Sequence, residues 1–433
     1  MLNKLKLKSE FSKNVLTLMT GTTIAQAIPI AISPILTRIY TPEDFGVLAL
    51  FVAITTIFGS VANGRYELAI MLPRKDEDAI NIFALGFIIT AMMSFILLIL
   101  SIVFNNYVTK LLGNDEISFW LYFVPLTVFL TGLWNILNYF NNRRKQYKDL
   151  RNSTIIKSIV LAIIQLSAGF LKSGVTGLIS GQIISQLFAN TKLLKNISKD
   201  KFLISKISRI KMLALLKKYK KFPIYSLPST LADTSSQQLP YLVIPTIFSL
   251  TVSGYFSFAK KIINLPSSLI SSSISQVFYQ SMVNAKNKRC GLEILLFKTL
   301  KKLALIAFPI TLFLYFLIPY IFPFIFGQNW TISGEIAQYL SLIFFITFIV
   351  SPLSISFSVT MELEKIALWQ YLYLVTTCLL FLFFMLNEYD FITFLISLVI
   401  HEYILYIIYL YMIIQTVKKH DNLNYKDIVR CVE

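Results

Sequence analysis

Two acidic side chains lie far inside long apolar stretches of this sequence, where ionisable residues are rare. Asp233 is followed by the polar run Thr234–Gln238, and Glu402 follows His401 within the apolar stretch 391–415. A buried carboxyl group can load and release a proton, and together with hydroxyl and carbonyl oxygens it can hold Na⁺. Asp233, Glu402 and His401 are therefore candidates for coupling a cation gradient to the movement of another molecule. Hydrogen bonds to neighbouring helices, or an ion pair with Lys260, are the alternative.

Five basic side chains also lie within apolar stretches or at their edges. A charge at the centre of a membrane helix costs roughly 2.5–3.5 kcal/mol on insertion scales, so such residues face a wet cavity or a partner. Because Lys and Arg bind phosphate oxygens, together they could line a cavity for an anionic substrate. For the first three, extension of the side chain to the membrane surface is the alternative. The five are Arg38, Arg65, Lys157, Lys260 and Lys261.

These residues must be positioned by membrane helices. The 433 residues are 56% hydrophobic and 14% charged, against roughly 45–50% and about 25% in soluble domains. A soluble enzyme is thereby excluded, and an all-α polytopic membrane protein is expected. The apolar stretches predict twelve spans, near residues 15–40, 45–71, 79–104, 119–140, 153–171, 175–194, 222–248, 253–281, 294–326, 335–360, 366–386 and 391–415.

The excess of 40 Lys and Arg over 22 Asp and Glu is explained by membrane topology. With the N-terminus inside, nearly all of these cations fall in the segments that the predicted spans place on the inner side. Both termini are therefore expected in the cytoplasm, and nucleic acid is not an expected partner. The basic segment 199–221 has apolar residues at near-helical spacing, which is typical of an amphipathic helix on an anionic leaflet. A plain basic linker is the alternative. Glu67 is expected to pair with a nearby lysine.

An internal repeat divides the chain. Residues 26–34 and 237–245 share the pattern Q-x-x-P-x-x-x-x-P, and each is followed by a short turn and a glycine, Gly46 or Gly254. Two six-helix halves of equal orientation, related by a pseudo-two-fold axis along the membrane normal, are expected, as in alternating-access transporters. The predicted organisation is an N-lobe 1–196, a cytoplasmic linker 197–221, a C-lobe 222–415 and a cytoplasmic tail 416–433.

Prolines inside the spans free carbonyl groups and bend helices. They are candidate hinges for a rocking bundle, and static kinks fitted to neighbouring helices are the alternative. The five hinge candidates are Pro29, Pro34, Pro240, Pro245 and Pro266.

The runs at 11–18, 21–30, 33–46 and 65–73, with Tyr225–Ser229, Gly254–Ser257, 265–270 and 274–279 in the second half, resemble the bacterial O-antigen and capsule repeat-unit flippases. The resemblance implies the twelve-helix fold of the multidrug/oligosaccharidyl-lipid/polysaccharide exporter superfamily, with two six-helix lobes around a central cavity. It implies transport of undecaprenyl-diphosphate-linked oligosaccharide to the outer leaflet of the bacterial inner membrane. Membrane lipids, a polysaccharide polymerase and a chain-length regulator are the implied partners. No cofactor is expected, and H⁺ or Na⁺ is the coupling ion to which the acidic candidates point.

Two other classes of membrane protein are alternatives. A membrane-bound polysaccharide polymerase or glycosyltransferase is disfavoured because the sequence has no G-x-x-x-x-G-K-[ST], G-x-G-x-x-G or H-E-x-x-H motif and only two histidines. The three cysteines, Cys290, Cys378 and Cys431, have no metal-ligand spacing, so no metal is expected. A cation-coupled multidrug exporter of the same superfamily would use Asp233 and Glu402 equally well, and fold alone does not distinguish it.

Overall fold

The computed structural model describes residues 10–288 and 291–421, and the regular structure in these ranges is entirely helical. Twelve of the described helices have 20 residues or more, with shorter helices between them. In chain order they are α1 (Glu10–Ile39), α2 (Pro42–Val61), α3 (Asp76–Val103), α4 (Val124–Arg143), α5 (Tyr147–Phe170), α6 (Val175–Ser198), α7 (Leu227–Ile247), α8 (Leu250–Lys288), α9 (Leu292–Phe326), α10 (Thr331–Val350), α11 (Leu363–Leu386) and α12 (Phe391–His420).

The twelve helices coincide with the twelve predicted spans. Within the described residues, eight segments are long and apolar enough to cross a membrane: Thr20–Ile39 of α1, and the segments that contain α2, α3, α5, α9, α10, α11 and α12. The other four helices, α4, α6, α7 and α8, are of sufficient length but more polar. An all-α membrane fold is therefore confirmed.

The second predicted span, 45–71, is too long. Helix α2 ends at Val61 because Gly64 and Arg65 adopt the left-handed backbone region, with φ of 60° and 64°. A short 3₁₀ helix, Tyr66–Met71, follows. Arg65 thus lies in a turn after α2 and not inside the predicted span.

Two further spans are interrupted at prolines. The stretch predicted as 119–140 forms a short helix, Ile117–Leu121, before α4 begins next to Pro125. The stretch predicted as 335–360 breaks after α10 into a 3₁₀ turn, Ser351–Ser354, that contains Pro352. Because proline has no N–H group, it fits the first turn of a new helical segment and disrupts a continuing one.

Helix starts are fixed by local hydrogen bonds. At α2, the Thr41 hydroxyl accepts the N–H of Asp44 at 3.2 Å, and the Asp44 carboxylate accepts the N–H of Thr41 at 2.9 Å. At α12, the Asp390 carboxylate accepts the N–H groups of Ile392 and Thr393. These bonds satisfy N–H groups that a helix start leaves without partners.

The chain packs as two compact units, Met1–Gly254 and Tyr255–Glu433. In the first unit, α5 packs between α1 and α6, α3 packs against α4, and α7 packs against α2. In the second unit, α12 packs against α9, α10 and α11. The N-lobe and C-lobe boundary predicted at residues 197–221 stays a prediction.

The basic segment forms two short helices, Lys201–Ile204 and Arg209–Lys218, and not one amphipathic helix. Leu203 and Leu215 are its buried side chains, and they join a core of α3 and α4 residues in the first unit. The segment is therefore packed onto the helices and is part of the folded unit.

Candidate functional site

Arg65 lies in an ion pair within the first unit. Its Nη1 is 3.0 Å from Glu67 Oε1, and its Nε–H donates to the hydroxyl of Ser226, just before α7, at 3.3 Å. Glu67 is buried and pairs with Arg65, so the prediction that it pairs with a lysine is wrong. Part of the positive charge of Arg65 is therefore balanced within the turn.

Lys157 differs from Arg65 in its surroundings. It is half-buried in α5, and its ammonium group lies 5.7 Å from the centre of the Trp134 ring of α4. Among the residues that the structure describes, no carboxylate forms an ion pair with it. An aromatic face attracts a cation without neutralising it. Lys157 thus lies inside a candidate membrane span without a carboxylate partner among the described residues.

Arg38 and Lys261 are both exposed on helix surfaces. The Nη1 of Arg38 donates to the carbonyl oxygen of Pro34, one turn earlier in α1, at 2.5 Å. The structure therefore does not gather the five candidate cations into one cluster within a unit. Their roles in binding stay predictions.

Glu402 is the most buried acidic candidate, with 8% of the residue exposed. Its Oε1 accepts the hydroxyl of Tyr373 in α11 at 2.6 Å, and an electrostatic attraction links it to Lys260. Lys260 is half-buried, and its ammonium group lies 5.6 Å from the centre of the Phe256 ring. The second unit therefore brings an acid, a base and a phenol from α12, α8 and α11 near one another.

His401 stands beside this group. Its ring stacks on that of Tyr373 with a centroid distance of 6.2 Å, and both of its ring nitrogens are buried without a hydrogen-bond partner among the described residues. A histidine with two unused nitrogens has capacity to accept or donate a proton. His401 and Glu402, which are adjacent in the sequence, thus both contact Tyr373.

Sequence reasoning missed the aromatic column that supports this group. Successive rings stack in the order Phe357, Tyr409, Trp369, Tyr373 and His401, with centroid distances of 5.6, 4.1, 5.1 and 6.2 Å. The indole N–H of Trp369 donates to the Leu405 carbonyl at 3.3 Å. A usable signal existed: Tyr406 and Tyr409 follow Glu402 by four and seven positions, and so share its helix face.

Asp233 belongs to the first compact unit, whereas Glu402 belongs to the second. Asp233 is half-buried in α7 and hydrogen-bonds the side chain of Gln237, one turn later. Its surroundings are the polar run that the sequence indicated.

The four described candidate hinges lie inside continuous helices: Pro29 and Pro34 in α1, and Pro240 and Pro245 in α7. Pro34 cannot donate to the carbonyl of Ile30, and the hydroxyl of Ser33 donates to that carbonyl instead, at 2.6 Å. The side chain of Pro266 lies outside the described residues.

An ionic cluster beyond the spans links α11 to α12. The Glu362 carboxylate lies 2.5 Å from Lys365, 2.9 Å from His420 and 3.1 Å from Lys419. Hydrogen bonds from Lys365, His420 and Lys419 lower the pKa of Glu362 to about 2. The cluster was not predicted, because its members are up to 58 residues apart.

Solved structures share this fold. An inward-facing multidrug resistance MATE family transporter of the MOP superfamily superposes with a TM-score of 0.71 at 16% identity, covering 93% of this chain and 96% of the other. The lipid II flippase MurJ in an inward closed conformation superposes with a TM-score of 0.71 at 16% identity, covering 94% and 90%. A MOP superfamily transporter from Pyrococcus furiosus gives 0.56 at 13% identity, covering 94% and 95%. The chain thus has the two-lobe, twelve-helix fold of the MOP superfamily.

The match to a curated relative covers only part of the length of that protein. The succinoglycan biosynthesis transport protein ExoT of Rhizobium meliloti is 21% identical over 314 residues, which is 71% of this chain. The match spans 61% of the relative, so the chain covers about three fifths of its length. These likenesses and the eight apolar segments identify a multi-pass membrane protein.

The family model described as polysaccharide biosynthesis protein matches residues 35–335. This range includes eight of the twelve long helices in full, α2 through α9, with the end of α1 and the start of α10, and is well over half of the chain. The chain belongs to the polysaccharide biosynthesis protein family.

Proposed function

We propose that the protein is a flippase that carries an undecaprenyl-diphosphate-linked oligosaccharide, the repeat unit of an O antigen or capsule, from the cytoplasmic to the outer leaflet. Family membership and the likeness to a succinoglycan biosynthesis transport protein support a transport step in polysaccharide biosynthesis. The fold supports alternating access as the mechanism, because the sequence repeat predicts two parallel halves. The protein is then a transporter and not an enzyme.

The observation that carries the proposal is that Lys157 lies inside a candidate span with no carboxylate partner in the described part of the chain. A cation kept inside a membrane helix without a carboxylate partner is costly unless a binding partner supplies negative charge. The diphosphate of a lipid-linked sugar supplies it, whereas a cationic drug would be repelled. Arg38, Arg65, Lys260 and Lys261 are the further cations proposed to line the substrate path.

A cation gradient is proposed to drive the cycle. Glu402, with Tyr373 and His401 beside it, has the groups needed to bind and release a proton, and Asp233 lies in a polar run suited to H⁺ or Na⁺. No other cofactor is required. Pro29, Pro34, Pro240, Pro245 and Pro266 are the proposed hinges of the rocking movement.

The proposed location is the bacterial inner membrane, with both termini in the cytoplasm. A polysaccharide polymerase and a chain-length regulator are the proposed partners that receive the product. Both follow from the proposed substrate, because repeat units that reach the outer leaflet must next be joined.

The test is the sidedness of the lipid-linked repeat unit in cells that lack the gene. A sugar-specific probe applied to right-side-out and inverted vesicles should find complete repeat units on the cytoplasmic leaflet, and wild-type protein should restore them to the outer leaflet. Lys157→Ala should slow this restoration at least about tenfold, because a charge-assisted hydrogen bond to phosphate is worth roughly 1.5–3 kcal/mol.

Lys172→Ala is the matched control, because Lys172 is exposed in the turn after α5 and should not touch the substrate. Equal rates for Lys157→Ala and the wild type would contradict the cationic path. Unpolymerised units on the outer leaflet of the deletion strain would favour a polymerase, and normal glycolipid with lost drug resistance would favour a multidrug exporter.

A further inference from the structure

A cleft of ≈ 520 Å³ opens beside the first turn of α3. One wall is the end of the α2–α3 connection with the start of α3, and the other is the short helix Arg209–Lys218. Neither the candidate cations nor the acidic candidates described above line it. Its charged lining residues are Arg74, Lys75, Glu77, Asp78, Lys211 and Lys218.

The cleft has an excess of positive charge. Lys211 and Glu77 form an ion pair at 2.9 Å, so these two charges offset each other. In the described part of the chain, no carboxylate forms an ion pair with Arg74, Lys75 or Lys218. Three cations therefore face one remaining acid, Asp78, and an anion that enters the cleft meets cations that no described carboxylate holds in an ion pair.

The walls of the cleft are held in place by hydrogen bonds. The Asn81 side chain donates to the Lys206 carbonyl at 3.0 Å and accepts the N–H of Ser208 at 2.8 Å. The Tyr66 hydroxyl donates to the Leu216 carbonyl at 3.2 Å, and Leu215 is buried. Since the second wall is anchored on both sides of Lys211, ligand binding needs little ordering of the chain.

Apolar side chains are exposed around these cations. Ile210 is 81% exposed, Leu72 56% and Leu213 52%. Exposed apolar residues among Lys and Arg are typical of segments that lie in the headgroup region of a membrane. Helix α3, a candidate membrane span, begins at Asp76, so the cleft lies at the end of a span, at headgroup level.

We propose that this cleft binds the phosphate group of an anionic membrane lipid, with Arg74, Lys75 and Lys218 as its donors. The Arg guanidinium can bind two phosphate oxygens at once, and each Lys ammonium adds a charge and up to three N–H donors. The apolar residues Leu72 and Ile210 contact the acyl part of the same lipid. This lipid is a bound component of the protein, and the proposal does not depend on the transport function.

The test uses the purified full-length chain in a neutral detergent. Native mass spectrometry measures binding of short-chain phosphatidylglycerol, short-chain phosphatidylcholine and inorganic phosphate. Phosphatidylglycerol should bind most tightly, and the triple variant Arg74→Ala, Lys75→Ala, Lys218→Ala should weaken it about tenfold or more. The charge-preserving triple variant Arg74→Lys, Lys75→Arg, Lys218→Arg should retain most of the affinity.

A second triple variant, Lys298→Ala, Lys301→Ala and Lys302→Ala, controls for net charge. It removes three exposed cations at the start of α9 that are not among the residues lining the cleft. An equal loss in both alanine variants would overturn the proposal, because binding would then follow total charge alone. Inorganic phosphate binding as tightly as phosphatidylglycerol would overturn it in favour of a free anion, and competition by poly-glutamate at equal affinity would assign the cleft to an acidic polypeptide.

Discussion

Glu402 carries the hypothesis of cation coupling at the scale of a single residue. A buried carboxyl group that keeps one hydrogen bond from Tyr373 and one attraction to Lys260 can exchange a proton when either contact changes. Replacing it by Gln preserves shape and an acceptor oxygen but removes proton exchange. We expect Glu402→Gln to abolish the dependence of flipping rate on an imposed cation gradient, measured in proteoliposomes with a fluorescent lipid-linked saccharide.

Tyr373→Phe is the matched control for this prediction. It removes the hydrogen bond to Glu402 but retains the carboxyl group, so gradient dependence should persist even if the rate falls. Asp233→Asn tests the second candidate in the same assay. Coupling through these acids is wrong if the Glu402→Gln and Asp233→Asn variants both stay as fast and as gradient-dependent as the parent.

At the scale of elements, the starts of α2 and α8 depend on two glycines. A Cβ atom on Gly254 would lie 1.7 Å from the carbonyl oxygen of Pro42, and one on Gly46 would lie 2.3 Å from the carbonyl oxygen of Leu250. Both obstacles are backbone atoms, which cannot move without shifting a helix. Gly46 and Gly254 also occupy equivalent places in the two repeats, so the repeat brings a glycine to each side of one helix contact.

We therefore expect Gly254→Ala to destabilise the protein by about 1–3 kcal/mol, the usual cost of overpacking. The measurement is the thermal unfolding midpoint of purified protein in detergent. Gly291→Ala is the control, because its Cβ would lie 3.3 Å from the flexible end of the Ile294 side chain. An unfolding midpoint for Gly254→Ala that equals that of Gly291→Ala would show that the two helix starts separate freely.

The helices also show which parts of the fold the sequence could predict. Apolar length alone located all twelve long helices, because a membrane helix must bury its own backbone hydrogen bonds over about 20 residues. The breaks at Gly64 and Arg65 and at Pro352 were missed, since a turn of a few residues hardly alters the hydropathy of a window. Helix ends were therefore the least predictable part of the fold.

The candidate site, like the fold, was predictable only in part. Charges in apolar stretches indicated Glu402 and Lys157 as candidates, because the free-energy cost of a charge in a membrane helix depends on where it lies along the chain. Their contacts were not predictable: Tyr373 is 29 residues from Glu402, and Trp134 lies on a different helix from Lys157. Such partners depend on how helices pack, which a single sequence leaves open.

At the scale of the whole molecule, the predicted twelve crossings would arrange the net charge of +18 by side of the membrane. Twelve crossings place nearly all of the Lys and Arg of the connecting segments on the side of the N-terminus, as the positive-inside rule requires. If only the eight most apolar segments crossed, α4 would not, and every connection between α4 and α6 would change sides. The turns on either side of α5 therefore distinguish twelve crossings from eight.

Lys145 and Lys172 are a matched pair for this test. Each is exposed in a turn at one end of α5, and each already has a left-handed backbone, with φ of 57° and 55°, so a cysteine adds no new strain there. In a background without Cys290, Cys378 and Cys431, we expect an impermeant maleimide to label Lys172→Cys in intact cells. Lys145→Cys should react only after the membrane is permeabilised. The reverse pattern would mean that α4 does not cross, and the charge at Lys157 would then enter the membrane from the opposite side.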